Sequence, residues 1–469
     1  MPAARRSCAD VSTLAGNLGS ARRRIGLAAL GLVLAACGLD VVSTGVGPPP
    51  AVIDAGPETS AALPEAGMMP DDAEAEAVDS GQFPCDAAAC VDEISADYKH
   101  TCAAIRGARP RCWGDDGDGE LGLGLVPDGG PDLDASTTPR LVAVGSPMSG
   151  VSAGGTLTPG YAFSCSRTAG GDVSCWGQDN LAQRGRADAG GAVIVSVPTA
   201  SAVGSAVEVQ AGGGHACARH GDGGLSCWGN DNYGQLGRIV AATIDRTPGA
   251  VALPAAATQV ATGDYHTCAR LGDGTVYCWG LDNVGQLGRG GLTSSFPDAI
   301  PAAVSGVAGA IDVAAGYAHT CVVLGGGSVL CFGYDTNGQL GRGTVTSYST
   351  TPGAVTLPAG AKAVSVCAGY LHSCALLADG TVACWGLNDK GQLGSGVVTA
   401  GSVTPNQSPT PLAVTGVTGA RAVTCGGHHS CAIVGNSQAV CWGANDVGQL
   451  GAGIAPDVLP RPTPVPVAF

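Results

Sequence analysis

Charge is scarce in this chain of 469 residues: Asp, Glu, Lys and Arg make up only 13% of it, and aromatic residues only 4%. Lys and Arg number 23 against 38 acids, for a net charge of -15. That balance argues against a nucleic-acid binder, whose affinity comes from basic side chains neutralising phosphates. No apolar run reaches the roughly 18–20 residues that a membrane-spanning helix needs. The sequence also lacks a G-x-S-x-G elbow, a phosphate-binding glycine loop, a His-Glu-x-x-His pair and any paired acid and base set. No cofactor or resident metal is therefore expected, and an enzyme is not the leading expectation. Glycine (76 residues) and cysteine (20) are the abundant types. Glycine is at about twice its average usage but without a three-residue period, which excludes collagen.

The first residues read as an export signal (1–36). Arg5, Arg6, Arg22, Arg23 and Arg24 precede a short apolar stretch from Ile25 to Ala36, too short to span and stay. The stretch ends Leu34-Ala35-Ala36-Cys37, which resembles the lipobox of bacterial lipoproteins and implies lipidation at Cys37. Gly38 after it favours the outer membrane by that family's sorting rule. Residues 37–90 read as a disordered acidic tether. Twelve acids fall between Asp40 and Glu93, and there is no Lys or Arg between Cys37 and Lys99. Such a stretch cannot build a core and extends by self-repulsion.

From residue 91 onward one unit repeats seven times. The first cysteine of each copy is Cys102, Cys165, Cys217, Cys268, Cys321, Cys374 and Cys431. Each is followed ten residues later by a second: Cys112, Cys175, Cys227, Cys278, Cys331, Cys384 and Cys441. In Leu377-Ala378-Asp379-Gly380-Thr381, a three-residue loop with Gly380 left-handed pairs Leu377 with Thr381. Counting outward puts Cys374 directly across from Cys384, at a non-hydrogen-bonded site within disulfide reach. Seven such bridges suit an oxidising compartment outside the cytosol. A zinc set of the type His266, Cys268 and Cys278 is the weaker alternative. Gly occupies the loop position at 171, 223, 274 and 327, whereas Ala108 and Ser437 depart from it. Cys85 with Cys90, and Cys367 with Cys425, are further candidate bridges.

All six Trp follow the second cysteine directly: Trp113, Trp176, Trp228, Trp279, Trp385 and Trp442, with Phe332 in copy five. Adjacent strand residues face opposite ways, so each sheet has buried groups on both faces and must lie between neighbours, as a propeller blade does. Six His share the place two before the first cysteine: His100, His215, His266, His319, His372 and His429, with Phe163 in copy two. Equivalent places in adjacent blades are on the order of 10 Å apart, too far for one ion with bonds of about 2 Å. Each His is expected to fasten its own loop.

The pattern Gly-x-x-His-Thr-Cys, then Asp-Gly-Thr-Val-x-Cys-Trp-Gly, then Gly-Gln-Leu-Gly resembles the regulator of chromosome condensation repeat over residues 91–469. The last motif stands at 234–237, 285–288, 338–341, 391–394 and 448–451, and is degenerate in copies one and two. The resemblance implies an all-β, seven-bladed β-propeller, with Thr463-Pro464-Val465-Pro466-Val467 completing blade seven. The eponymous protein's nuclear partners are not expected for an exported, acidic chain. Asp115-Asp116-Gly117-Asp118-Gly119-Glu120 is read as a structural Asn/Asp turn in preference to a calcium loop, whose twelve-residue spacing it lacks.

Recognition is expected where the copies differ. The loop before each His carries Tyr98, Lys99, Tyr161, Asp264, Tyr265, Tyr317, Tyr370 and His428, as exposed partner-binding residues on one rim. Copy two lengthens this loop from Gly155 to Gly160, and the segments Leu123–Ser146 and Ser395–Ser408 are also long. The expected function is a monomeric, non-enzymatic binding or scaffold protein, held at the membrane by its lipid and facing another envelope or extracellular protein. The alternatives are a propeller hydrolase or lyase with a central-channel site, and a carbohydrate-binding surface protein.

Overall fold

A computed structural model describes residues 90–126, 132–155, 161–187, 194–240, 242–292, 298–398 and 406–469. The signal, Cys37, Cys85 and the tether up to residue 89 lie outside the described residues. Twenty-eight strands form seven four-stranded antiparallel sheets, with no helix among the described residues. Blade one is β1 (Val91–Ala96), β2 (His100–Ile105), β3 (Arg111–Gly114) and β4 (Ser136–Leu141), in that order across the sheet. Every other blade repeats this plan with four consecutive strands. The first strand lines the axis and the fourth faces outward. Asp457–Pro466 is the outer strand of blade seven, so no strand is exchanged to close the ring. The segment 123–146 is not wholly loop, since it contains β4.

The hairpin arithmetic is visible in the register. Cys268 faces Cys278 and Cys374 faces Cys384, and all seven pairs are bonded with Cα atoms 4.0–4.2 Å apart. Ser437 adopts the left-handed conformation (φ 67°) that glycine takes elsewhere, and in copy one Gly107 takes it one residue before Ala108. Cys367 and Cys425 are also bonded, linking the inner strands of blades six and seven. Cys90 is disulfide-bonded too.

Between blades the six Trp and Phe332 are fully buried, which leaves no indole for sugar stacking. Each joint is a small hydrogen-bond assembly. Trp279 Nε1–H donates to the Gln235 carbonyl of the preceding blade (2.9 Å), as does the Thr267 hydroxyl (2.9 Å). The preceding blade's His215 Nε2 then meets Thr267 Oγ1 at 2.8 Å. The hydroxyl gives its one proton to the carbonyl, so it accepts from Nε2–H, which leaves Nδ1 bare; Nδ1 has no partner in any of the six. The same His-to-hydroxyl bond joins His100 to Ser164, His266 to Thr320, His319 to Ser373, His372 to Ser430 and His429 to Thr101. Each His therefore fastens the next blade, not its own loop. Copy two confirms the logic. Phe163 cannot donate, and the residue that would accept in copy three is Ala216, while Trp228 still bonds the Gln183 carbonyl at 2.8 Å.

The glycine three before five of the six His has its own cause. A Cβ on Gly316 would lie 2.4 Å from the Gly369 carbonyl, and one on Gly369 equally near that of Gly426. The strand ends are thus drawn together in a tight collar. Gly316→Ala should cost about 2–3 kcal/mol by overpacking, while Gly326→Ala, where a Cβ meets nothing within 4 Å, should be nearly neutral; denaturant titration of the two variants checks this.

Candidate functional site

The inner strands end at one mouth of the axial channel, and the loops that leave them bring the sequence-predicted tyrosines together. Tyr265 and Tyr317 have ring centroids 5.9 Å apart, Tyr317 and Tyr370 4.4 Å, Tyr370 and His428 6.0 Å, and His428 and Tyr98 6.0 Å. Tyr233 extends the arc at 5.3 Å from Tyr265. The arc crosses from blade three through blades four to seven and back to blade one. Its members are half-buried, not exposed as expected, because each ring packs edge or tilt against the next. Burial raises the phenol pKa of Tyr265 and Tyr370, with Asp264 and Tyr317 adding to the effect at both. These hydroxyls remain donors throughout the physiological range.

Lys99 lies beside Tyr98, its Nζ 5.8 Å from the ring centroid, and lines a side hollow with Lys390, His428 and Asp446. Tyr161, which follows the lengthened loop of copy two, is half-buried near Tyr265. Asp264 turns into the channel instead of joining the aromatic arc. The acidic run of copy one is the expected turn. Asp116 Oδ1 accepts Leu121 N–H at 2.7 Å, just as Asp231 Oδ1 accepts Leu236 N–H at 2.9 Å.

Two residues of this mouth escaped the sequence analysis. Tyr233 stands on the turn before a Gly-Gln-Leu-Gly motif, far along the chain from the His loops. Asp97 stands where the other six copies have Gly154, Gly212, Gly263, Gly316, Gly369 and Gly426. Aligning the copies at this position would have singled it out. Its side chain fits because the neighbouring residue in blade two is also glycine: a Cβ on Gly155 would fall 2.5 Å from Asp97 Oδ2. Burial pushes the Asp97 carboxyl up to about 7. The Asp264 carboxyl is raised well above its usual range, by burial first and then by Asp97.

The channel wall is stitched by side chains of the inner strands. Ser95 Oγ accepts Ala153 N–H (3.1 Å), Ser152 Oγ accepts Ala211 N–H (3.0 Å) and Thr424 Oγ1 accepts Ala96 N–H (3.1 Å). Glu208 accepts from Arg219 (2.8 Å) and from Val260 N–H (3.4 Å). Most polar groups on the axis thus hold blade to blade. Among the described residues the one group of three potential metal ligands within mutual reach is Cys367, Cys374 and Cys425, all of them in disulfides.

Residues 160–469 match the RCC1-like domain. The chain is 28% identical over 373 residues to the ultraviolet-B receptor UVR8 of Arabidopsis thaliana, covering 78% of this chain and 79% of that one. It is 29% identical over 236 residues to the E3 ubiquitin-protein ligase HERC2 of Homo sapiens, of which it spans 5%. Among solved structures, Prp20p from Saccharomyces cerevisiae superposes with a TM-score of 0.65 at 21% identity, covering 80% of this chain and 86% of that one. Human WBSCR16 gives 0.63 at 21% identity, covering 76% and 94%. The likenesses to solved structures concern the fold, while the domain model covers well over half of the chain: the chain belongs to the RCC1-like domain family.

Proposed function

We propose that the protein is a non-enzymatic, monomeric binding protein of the cell envelope, anchored through Cys37 and offering the tyrosine mouth of its propeller to another protein. The observation that carries this is the unbroken aromatic arc from Tyr233 to Tyr98, contributed by several different blades. Tyrosine combines a large apolar face with a polar tip and few rotamers, which makes it a frequent anchor at interfaces. Eight bonded cysteine pairs among the described residues support an oxidising compartment. The basic and apolar leader before Cys37 and the acidic stretch after it support an anchor and a spacer. Related propellers are bound by proteins: a solved complex holds Kap60 on yeast RCC1, and Prp20p is described with binding properties toward Gsp1p and histones. An acidic exported chain calls for a different partner.

The test is retention of envelope or medium proteins on the immobilised chain. Combined Tyr265→Ala, Tyr317→Ala and Tyr370→Ala should cut retention at least about tenfold, as expected when anchors worth about 2 kcal/mol each are lost. The matching triple Phe variant keeps the packing and separates loss of the hydroxyls from loss of the rings. Undiminished retention by the Ala variant would rule out this face.

A further inference from the structure

The ring encloses an axial cavity of about 280 Å³. Its described lining includes four carboxylates, Glu93, Asp97, Asp264 and Asp312, and not one Lys, Arg or His side chain. Two of the four are engaged in the wall. Asp312 accepts hydrogen bonds from Gln259 Nε2 (2.6 Å), Ser365 Oγ (2.8 Å) and Val366 N–H (2.8 Å). Glu93 accepts Val151 N–H and has the Arg167 charge nearby.

The other two each have one oxygen left over, although Asp97 accepts Tyr98 N–H. Asp97 Oδ2 and Asp264 Oδ2 are sealed from bulk water and have no hydrogen-bond partner. A buried carboxylate oxygen left unpaired is costly, and a cation is the group that removes the cost. Both aspartates lie at the tyrosine end of the channel. Asp97 directly follows β1, four residues beyond Glu93 and about 13 Å along at the usual strand rise, and Asp264 directly follows Gly263, the glycine equivalent to Asp97. Tyr98, Tyr317 and Tyr370 line the same cavity. Aromatic rings beside a countercharge favour a weakly hydrated organic cation, which draws on cation–π attraction. A metal ion would require several oxygens converging at bonding distance, and among the described residues the acids form no such group.

We propose that this mouth is a binding site for an organic cation, an alkylammonium or guanidinium group, with Asp97 and Asp264 as its counterions and Tyr98, Tyr317 and Tyr370 around it. Behind the aspartates the cavity is lined by small apolar residues such as Ala96 and Ala314 together with polar ones such as Ser95, Gln210 and Gln259, so a short ligand fits better than a long alkyl chain. The site shares Tyr98, Tyr317 and Tyr370 with the proposed docking face, but the small-cation arm of the test reads it without any protein partner.

The cation can be a free amine or a basic side chain of a protein, and titration calorimetry on the full chain separates the two. The probes are n-butylammonium chloride, methylguanidinium chloride and the capped tripeptide Gly-Lys-Gly, against sodium and calcium chloride at matched ionic strength. Saturable binding of at least one organic cation is expected. Binding of the tripeptide as tightly as of butylammonium assigns the site to a protein side chain; binding of the small cations alone assigns it to a free amine. Asp97→Asn with Asp264→Asn should weaken binding about tenfold to a hundredfold, the effect of losing charge-assisted hydrogen bonds. These changes remove carboxyls whose ionised form burial disfavours, so the melting temperature should hold or rise, and Asp264→Asn alone serves as the milder variant. No saturable binding by any organic probe, equal binding of sodium or calcium, or unchanged binding in the double variant would overturn the proposal.

Discussion

Reduced in denaturant and returned to buffer without oxidant, the chain should fail to regain a cooperative unfolding transition. Each hairpin bridge joins residues ten apart, and closing so short a loop restricts the unfolded chain by about 3 kcal/mol in the chain-entropy model. Seven of them amount to about 20 kcal/mol, more than the 5–15 kcal/mol by which folded domains commonly exceed their unfolded states. The Cys367–Cys425 bridge spans 58 residues and contributes about 4 kcal/mol by the same relation. The low aromatic content makes this dependence physical. Each joint buries one Trp or Phe among Ala, Val and Cys, as around Trp228, where Ala206, Ala211, Ala216 and Ala218 supply much of the cluster. Small residues bury little apolar area, so the sulfur bonds carry a large share. Trp fluorescence and near-ultraviolet circular dichroism follow the loss. Replacing one pair, Cys268→Ala with Cys278→Ala, should lower stability by about 3 kcal/mol. A reduced chain with an unchanged denaturation midpoint would contradict this account.

Acid should unfold the propeller abruptly between pH 4 and 3, after a broad plateau. The six joint histidines are buried and neutral. Burial lowers their pKa from 6.5 to about 3 in His100, His215, His266, His372 and His429, and to about 4 in His319. Their contribution is complete above 6.5 and is lost as pH falls, because the unfolded chain takes up protons that the folded chain refuses. The buried carboxyls act in the opposite sense. Burial raises Glu93 and Asp97 to about 7, Glu120 to about 8 and Asp116 to about 9. Their contribution is complete below the unfolded value near 4 and is lost as pH rises through these folded values. From 6.5 down to about 4 the two sets largely offset each other. Below 4 the carboxyl gain is finished and the histidine loss continues. The five histidines held near 3 then correspond to about 7 kcal/mol per pH unit. Urea titrations from pH 7 to 3.5 measure the curve. The natural pair at the second joint supplies the control: His266→Phe with Thr320→Ala copies Phe163 and Ala216, and should lessen the steep limb by about one fifth. A decline that begins at pH 6.5 and runs evenly downward would count against the carboxyl offset.

The seven hairpins were legible because a disulfide within a hairpin depends only on local counting, from Gly380 outward to Cys374 and Cys384. The Trp positions were legible because alternation along a strand fixes which face is buried. The His partners were not. His215 bonds Thr267, 52 residues away, and nothing in the local pattern distinguishes a bond to its own loop from one to the next blade. The joint replacement of His by Phe163 and of hydroxyl by Ala216 was the clue available in the sequence. The tyrosine arc was anticipated in membership, apart from Tyr233, but not in burial, since edge packing between rings depends on how closely the blades converge. Asp97 was hidden by its neighbourhood, one more acid at the end of an acidic stretch, until its place in the glycine collar was visible.

The seam between blade seven and blade one is built from the same parts as the other joints: His429 on Thr101 at 2.8 Å, and Trp113 on the Gln449 carbonyl at 3.0 Å. No strand crosses it. Val91 and the C-terminal Val465, Val467 and Phe469 share one apolar cluster there. A wheel joined this way has no privileged origin. Cutting the polypeptide between any other two blades and splicing the present ends would leave every spoke and every rivet in place. The linear order of the copies therefore records only where the thread was opened, and the same wheel could be threaded from any of its seven gaps.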